Sequence, residues 1–228
     1  MSPYSRHTRV WPTGAGRAAM VSAVHDVTSC AALELWSARG WPLVVRRAED
    51  DETASDDRIA VGLPLPPSLG KRRLKFRLPR DGVAAHLPSL TLDEVVTQLR
   101  PTFSSALTPL ARAAARERIL LRVFGSAAWE AQTGLGYLRA DSDLDLLAEP
   151  TTRAELRSLL ALLDRVQARV AIRLDGEIVF PGGDAVAWRE WAYGSSASRV
   201  LVKNMSQVAL VARSDLVSKL DRYKRLAA

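Results

Sequence analysis

The segment Val123–Pro150, VFGSAAWEAQTGLGYLRADSDLDLLAEP, sets two aspartates, Asp143 and Asp145, one residue apart among leucines. On a strand, side chains at i and i+2 share a face, so both carboxylates point one way while Leu144 and Leu146 enter the core. Like charges held so close repel unless a cation lies between them, and hard Mg²⁺ suits paired carboxylates. Mg²⁺ also takes phosphate oxygens, which points to phosphoryl or nucleotidyl transfer. A bare Asp-x-Asp is short and common, and by itself it reads better as a solvated strand end. The surroundings change the balance. An apolar run, Ile119 to Phe124, leads through Gly125-Ser126 into the helix-forming AAWEAQT. Backbone amides at such a strand–turn–helix junction stand where a phosphate can bind. Gly125 lets the backbone approach a ligand, and Ser126 can donate its hydroxyl or cap the helix. Taken alone, the dipeptide reads equally as a tight turn with an N-cap.

Outward from this segment, the 228 residues are 47% hydrophobic and 25% charged, the balance of an ordinary globular chain long enough for one large domain or two small ones. No apolar run approaches the roughly 18 residues of a spanning helix, so no membrane association is expected. The single cysteine, Cys30, excludes an intrachain disulfide and a cysteine-built zinc site, and with no secretory h-region the expected location is cytoplasmic. A net charge of +7 suits an anionic partner: nucleic acid, a phosphorylated small molecule or an acidic protein.

Residues 1–22 mix Pro, Gly and Arg without periodicity and read as a disordered lead, with Met20 an alternative start. Residues 23–80 read as a β-rich domain. WPLVVRR (Trp41–Arg47) and RIAVGLPLPP supply strands, Glu49–Asp57 is an acidic solvated loop, and RLKFRL (Arg73–Leu78) alternates as a half-buried strand should. On that strand Arg73, Lys75 and Arg77 share the face opposite Leu74, Phe76 and Leu78. Residues 81–228 read as mixed α/β. Thr91/Glu94 and Thr152/Glu155 mark helix starts, and Leu156, Leu159, Leu160, Leu163, Val166 and Val170 recur at helical spacing. VAIRL and EIVF read as strands around Asp175-Gly176, a dipeptide that favours a hairpin turn. AVAWREW reads as helix, RVLVKN and QVALVA as strands, and SDLVSKLDRYKRL as a closing helix. The fold class expected is therefore α+β.

The order strand, Gly-Ser, helix, strand with Asp-x-Asp resembles the nucleotidyltransferase superfamily, the fold of DNA polymerase β, although 17 positions separate Ser126 from Asp143. The segment Val123–Leu147, taken with GLPLPPSLGKRR upstream and DGEIVFPGGDAVAWREW and VLVKN downstream, is similar to one family within it. That family is the malonate decarboxylase holo-(acyl-carrier protein) synthases, or phosphoribosyl-dephospho-CoA transferases, and the likeness runs from about residue 24 to 213. The resemblance implies transfer of a phosphoribosyl-dephospho-CoA group from its precursor, 2′-(5″-triphosphoribosyl)-3′-dephospho-CoA, to a serine of the malonate decarboxylase acyl-carrier subunit, with release of pyrophosphate. It implies Mg²⁺ on catalytic Asp143 and Asp145, and a phosphate-side loop at Gly125 and Ser126. The superfamily adds a third carboxylate, for which Asp175 and Glu177 compete, Asp175 reading equally as a turn residue. Asp141 reads as a flank rather than a ligand.

Lys71, Arg72, Arg73 and Lys203 are candidate phosphate contacts, with a solvated basic face at least as good a reading of each. Lys75 and Arg77 are candidates for steering an acidic carrier. His25 reads as structural, and Trp129, Trp188 and Trp191 as core. Two other functions remain open at this point: an ATP-dependent adenylyltransferase, and a non-catalytic basic nucleic-acid-binding protein. The last ranks lowest, because aromatic residues are 6% and none interleave with the basic runs.

Overall fold

An alternating strand and a striped helix both need a surface to bury against, and the chain supplies two such surfaces. In the computed structural model, residues 4–49, 57–195 and 199–226 are described. They divide into one unit ending at Ser89, which also takes in Leu135–Tyr137, and a second made of Leu90–Gly134 and the chain from Leu138 onward. The protein is α+β, sheet-rich in its N-terminal part and mixed in its C-terminal part.

In the first unit β1 (Arg9–Pro12), β2 (Leu43–Val45), β3 (Ile59–Pro64), β4 (Arg73–Leu78) and β5 (Val83–Leu87) form an antiparallel sheet in the order β4-β3-β2-β1-β5. Helices α1 (Gly14–Ser22) and α2 (Val27–Arg39) lie between β1 and β2 in the chain. Strand β4 alternates as expected, with Phe76 and Leu78 buried and Arg73 and Lys75 exposed. Lys75 is paired with Glu49, and Arg80 with Asp57; the rest of the acidic run, residues 50–56, lies outside the described residues.

Three expectations are corrected here. Residues 9–22 are not a disordered lead: β1 pairs with both β2 and β5 near the middle of the sheet, and Val10 is fully buried. A four-residue strand that ends in proline is too short to show alternation. The stretch after Val24, read for its strands, also holds a helix, since α2 buries Ser29, Ala32, Leu33 and Trp36, a three-and-four spacing that packs one helical face. Asp26 caps its first turn by accepting from the Ser29 amide, and Gly40 ends it in the left-handed region. The boundary falls between Ser89 and Leu90 rather than near residue 80, because β5 completes the first sheet.

The second unit contains α3 (Leu92–Gln98), α4 (Pro101–Arg116), β6 (Arg122–Phe124), α5 (Gly125–Thr133), β7 (Leu144–Ala148) and α6 (Arg153–Gln167). It continues through β8 (Leu174–Phe180), β9 (Asp184–Ala187), α7 (Trp188–Tyr193), β10 (Arg199–Lys203), β11 (Val208–Ala212) and α8 (Arg213–Leu226). The sheet order is β11-β10-β9-β8-β7-β6, and β7 with β8 is its parallel pair. Parallel neighbours require a crossover, and α6 provides it, burying Leu156, Leu159, Leu162, Leu163 and Val166. These side chains join Leu110, Leu144, Leu174, Phe180 and Trp188 in one core. Thr91 and Glu94 form the expected capping box; Thr152 caps α6, but Glu155 reaches back to Thr151 instead.

The hairpin expected at Asp175-Gly176 is absent. Both residues lie inside the continuous strand β8, with Gly176 opposite Leu146. Gly176 has φ +132°, and a Cβ there would overlap the Leu146 backbone. The glycine therefore serves close strand contact rather than a turn. The AVA of AVAWREW is likewise strand β9, with helix beginning only at Trp188.

The long connection from α5 to β7 is anchored by Glu130, a carboxylate only 4% exposed. It accepts from the Arg100 guanidinium at 2.7 Å and from the Leu138 amide at 2.8 Å.

Two substitutions test this architecture. Gly176→Ala forces a side chain into the β7 backbone and should cost about 3 kcal/mol or more, read as a drop in the thermal midpoint on the order of 10 °C. Glu130→Ala strands a buried amide and should cost about 3 kcal/mol. Arg100→Ala, made at the more exposed partner, should cost less than Glu130→Ala in urea unfolding followed by circular dichroism.

Candidate active site

The β ladder alone brings two of the candidate carboxylates together. Asp145 on β7 stands opposite Phe124 on antiparallel β6 and opposite Asp175 on parallel β8. Neighbouring strands are about 4.8 Å apart, so the two carboxylates start from adjacent backbone positions. Each lies in an alternating pattern with buried neighbours, Leu144 and Leu146 around Asp145, Leu174 and Gly176 around Asp175. Asp143, one residue before β7, is tied to Asp175 through a shared cation. The Arg173 guanidinium lies 3.6 Å from the Asp143 carboxylate and 3.8 Å from that of Asp175.

The Gly-Ser turn closes the other side. Gly125 follows β6 with φ +67°, and a Cβ at this position would overlap the Asp145 carboxylate. Only glycine lets chain and carboxylate approach this closely, and the positive φ is one it adopts without strain. Helix α5 begins at Gly125, with Ser126 as its second residue. Phe124 precedes it and offers no side-chain cap, so the first-turn amides have no side-chain acceptor of that kind.

Of the two candidates for a third carboxylate, the register separates Asp175 from Glu177. Asp175 is opposite Asp145, whereas Glu177 is opposite Leu147, one pair further along the strands. Asp175 is fixed from several directions. Its Oδ1 accepts from the Gly176 amide at 2.8 Å. The residue before it, Leu174, accepts at its carbonyl from Trp188 Nε1 and Arg189 Nε and donates its amide to the Gln167 side chain. The Leu144 amide donates to the Arg173 carbonyl at 2.9 Å, locking the entry to the parallel pair.

Other candidates lie elsewhere. Lys203 ends β10, two strands from β8, and its ladder partner Ala185 stands opposite Val179, four residues beyond Asp175. By strand geometry that is roughly 10 Å across and 13 Å along, so Lys203 is not part of the carboxylate group. Lys71, Arg72 and Arg73 belong to the first unit, where all three are exposed. Arg72 is engaged there, donating to Asp26 at 3.0 Å and to Ser29 Oγ at 3.3 Å. The Ser29 hydroxyl, then that Arg72 pairing and the Ser29 amide, hold the Asp26 carboxyl well below the usual range. Asp141 makes a two-pronged pair with Arg139, as suits a flanking residue. His25 is exposed, and Trp129, Trp188 and Trp191 are buried. Sequence reasoning passed over Arg173, although its spacing of two from Asp175 was a signal that they share a face.

Asp143, Asp145 and Asp175 offer only carboxylate oxygens, and the side chains of Asp143 and Asp175 are about one-third exposed at 35%. This donor set fits a hard, partly hydrated divalent cation. Among the described residues no three acidic, imidazole or thiol groups already stand in ligand geometry. The ladder sets the backbones of Asp145 and Asp175.

Residues 90–214 match the family model described as the phosphoribosyl-dephospho-CoA transferase MdcG C-terminal domain, and residues 5–89 match its N-terminal domain. A phosphoribosyl-dephospho-CoA transferase of Bradyrhizobium diazoefficiens is 35% identical over 216 residues, covering 95% of this chain and 93% of the relative. One from Xanthomonas axonopodis pv. citri is 39% identical over 209 residues, covering 89% and 96%. No solved structure matches the chain. Matched along nearly its whole length, the chain belongs to the phosphoribosyl-dephospho-CoA transferase family and is a transferase.

Proposed function

We propose that this protein transfers a phosphoribosyl-dephospho-CoA group from its triphosphate precursor to a serine of the malonate decarboxylase acyl-carrier subunit, and that it does so as a Mg²⁺-dependent nucleotidyltransferase. The observation that carries this reading is the register of Asp145, held between Asp175 and the Gly125 turn. In this reading Asp143 and Asp145, joined by Asp175, hold the cation. When bound, Mg²⁺ neutralises phosphate charge and stabilises the pyrophosphate leaving group.

The chain's own groups carry the remaining work. Gly125 and Ser126 present backbone amides, and the Ser126 hydroxyl, to phosphate oxygens at the start of α5, where the helix dipole favours an anion. The carrier serine Oγ attacks the α-phosphorus of the precursor, the bond to pyrophosphate breaks, and the serine proton passes to a carboxylate. Asp175 is the candidate acceptor. A net charge of +7 suits two anionic substrates, and the exposed cations Arg73 and Lys75 suit an acidic carrier. Among the described residues no helix is long and apolar enough to cross a membrane.

Carrier labelling, followed by mass shift and by pyrophosphate release, tests this assignment. Asp145→Asn and Asp175→Asn should each lower the rate by roughly a thousandfold with circular dichroism unchanged. Glu177→Gln should stay within a few-fold of the parent. An Asp145→Asn variant that kept most of its turnover would reject the metal-dependent mechanism.

Gly125→Ala is a sharper probe of geometry, since its methyl group would displace the Asp145 carboxylate while removing no functional group. Labelling should fall by about a hundredfold or more, with Mg²⁺ affinity also reduced.

A further inference from the structure

We propose that Arg173 is a stand-in for the metal: its guanidinium neutralises the carboxylates in the metal-free protein and is handed to a phosphate when the divalent cation arrives. The proposal deepens the reading of Asp143, Asp145 and Asp175 as the cation site and rests on it.

Three observations carry it. The ladder fixes Asp145 beside Asp175, and Arg173 links Asp175 to Asp143, so one guanidinium lies between two of the three carboxylates. A guanidinium there relieves the same repulsion that a divalent ion would relieve. Second, the contacts at 3.6 and 3.8 Å are ion pairs rather than hydrogen bonds, and the Arg173 side chain is 60% exposed. It is held by charge and not by directional geometry, so it can exchange partners at small cost. Third, only the side chain is free to move. The Arg173 carbonyl accepts from the Leu144 amide, and the next residue is fixed by Gln167, Trp188 and Arg189.

Competition follows from the charges. A divalent ion entering the carboxylates meets a resident positive charge, so Arg173 lowers metal affinity. Once displaced, the planar guanidinium remains within one side-chain length of the site and can pair with phosphate oxygens in a two-pronged fashion. Binding of metal and of the triphosphate end would then be coupled through one residue: metal frees the arginine, and the arginine favours the phosphate.

The test uses the full chain and three probes: Mn²⁺ binding followed by the free-ion electron paramagnetic resonance signal, Mg²⁺ binding by calorimetry, and inorganic pyrophosphate binding at saturating Mg²⁺. Arg173→Ala and Arg173→Gln should bind either metal about tenfold more tightly than the parent. Both should bind pyrophosphate about tenfold more weakly, and Arg173→Lys should be intermediate. Arg173→Gln preserves side-chain length, and a circular dichroism spectrum for each variant excludes misfolding as the cause. Unchanged or weaker metal affinity in both neutral variants would overturn the stand-in role. Tighter metal binding with unchanged pyrophosphate affinity would overturn the hand-over. Asp145→Asn separates this proposal from the reading beneath it: metal binding that survives in Asp145→Asn refutes the cation site itself, whatever Arg173 does.

Discussion

The approach of Gly176 to the backbone of Leu146 is the constraint on which the site depends. Any side chain at position 176 would collide with β7, so the parallel pair can close only with glycine there. That closure sets the register, and the register sets Asp145 against Asp175. A slip of β8 by one residue would turn Asp175 toward the core and expose Leu174 and Gly176 in its place. One missing methyl group thus decides which chemistry the sheet presents. Gly125 acts in the same way from the β6 side, where a side chain would take the volume that the Asp145 carboxylate occupies.

Around these two glycines the protein separates a stiff frame from adjustable side chains. The frame is ladder hydrogen bonds together with side chains that serve backbone groups: Trp188, Arg189 and Gln167 on Leu174, and Glu130 on Leu138. Within it, the Asp143 and Arg173 side chains are partly exposed and meet through charge, while Asp175 also accepts from the Gly176 amide. In the proposed function the site accepts and releases a strongly hydrated ion and a large anion, and both properties serve it. Rigid backbones keep the donors in place, and loosely held side chains keep the cost of exchange low.

Much of this was legible in the sequence because the relevant signals are local. Asp145, between two buried leucines, follows from a two-residue period, β4 from strict alternation, and α6 from its leucine spacing, whereas Asp143 lies one residue before β7. The failures are instructive for their causes. Asp175-Gly176 was read as a turn because the dipeptide is equally good at turning and at allowing close strand contact. Only the helix between the two strands, which implies a parallel crossover, argued for the second. Strand β1 was invisible because four residues ending in proline carry no period, and its strand character comes from partners β2 and β5 far along the chain. Helix α2 carried its own signals, Asp26 before it and Gly40 after it, but they were outweighed by the apolar and β-forming residues around them. Arg173 escaped notice because an arginine gains meaning only from the carboxylates that the fold brings to it.

The α6 crossover also bears on the order of assembly. Asp145 and Asp175 are 30 positions apart (175 − 145 = 30), and they meet only after α6 has folded back to lay β8 beside β7. Parallel pairing of this kind is slow to nucleate, since the chain loses loop entropy before it gains the contact. The local helices and the β8–β9 hairpin can form without it. During synthesis the acidic residues therefore remain apart and solvated, and their mutual repulsion arises only at the step that completes the sheet. Arg173, leading β8 into place, arrives with Asp175, so the charge that offsets the repulsion is delivered by the same strand that creates it.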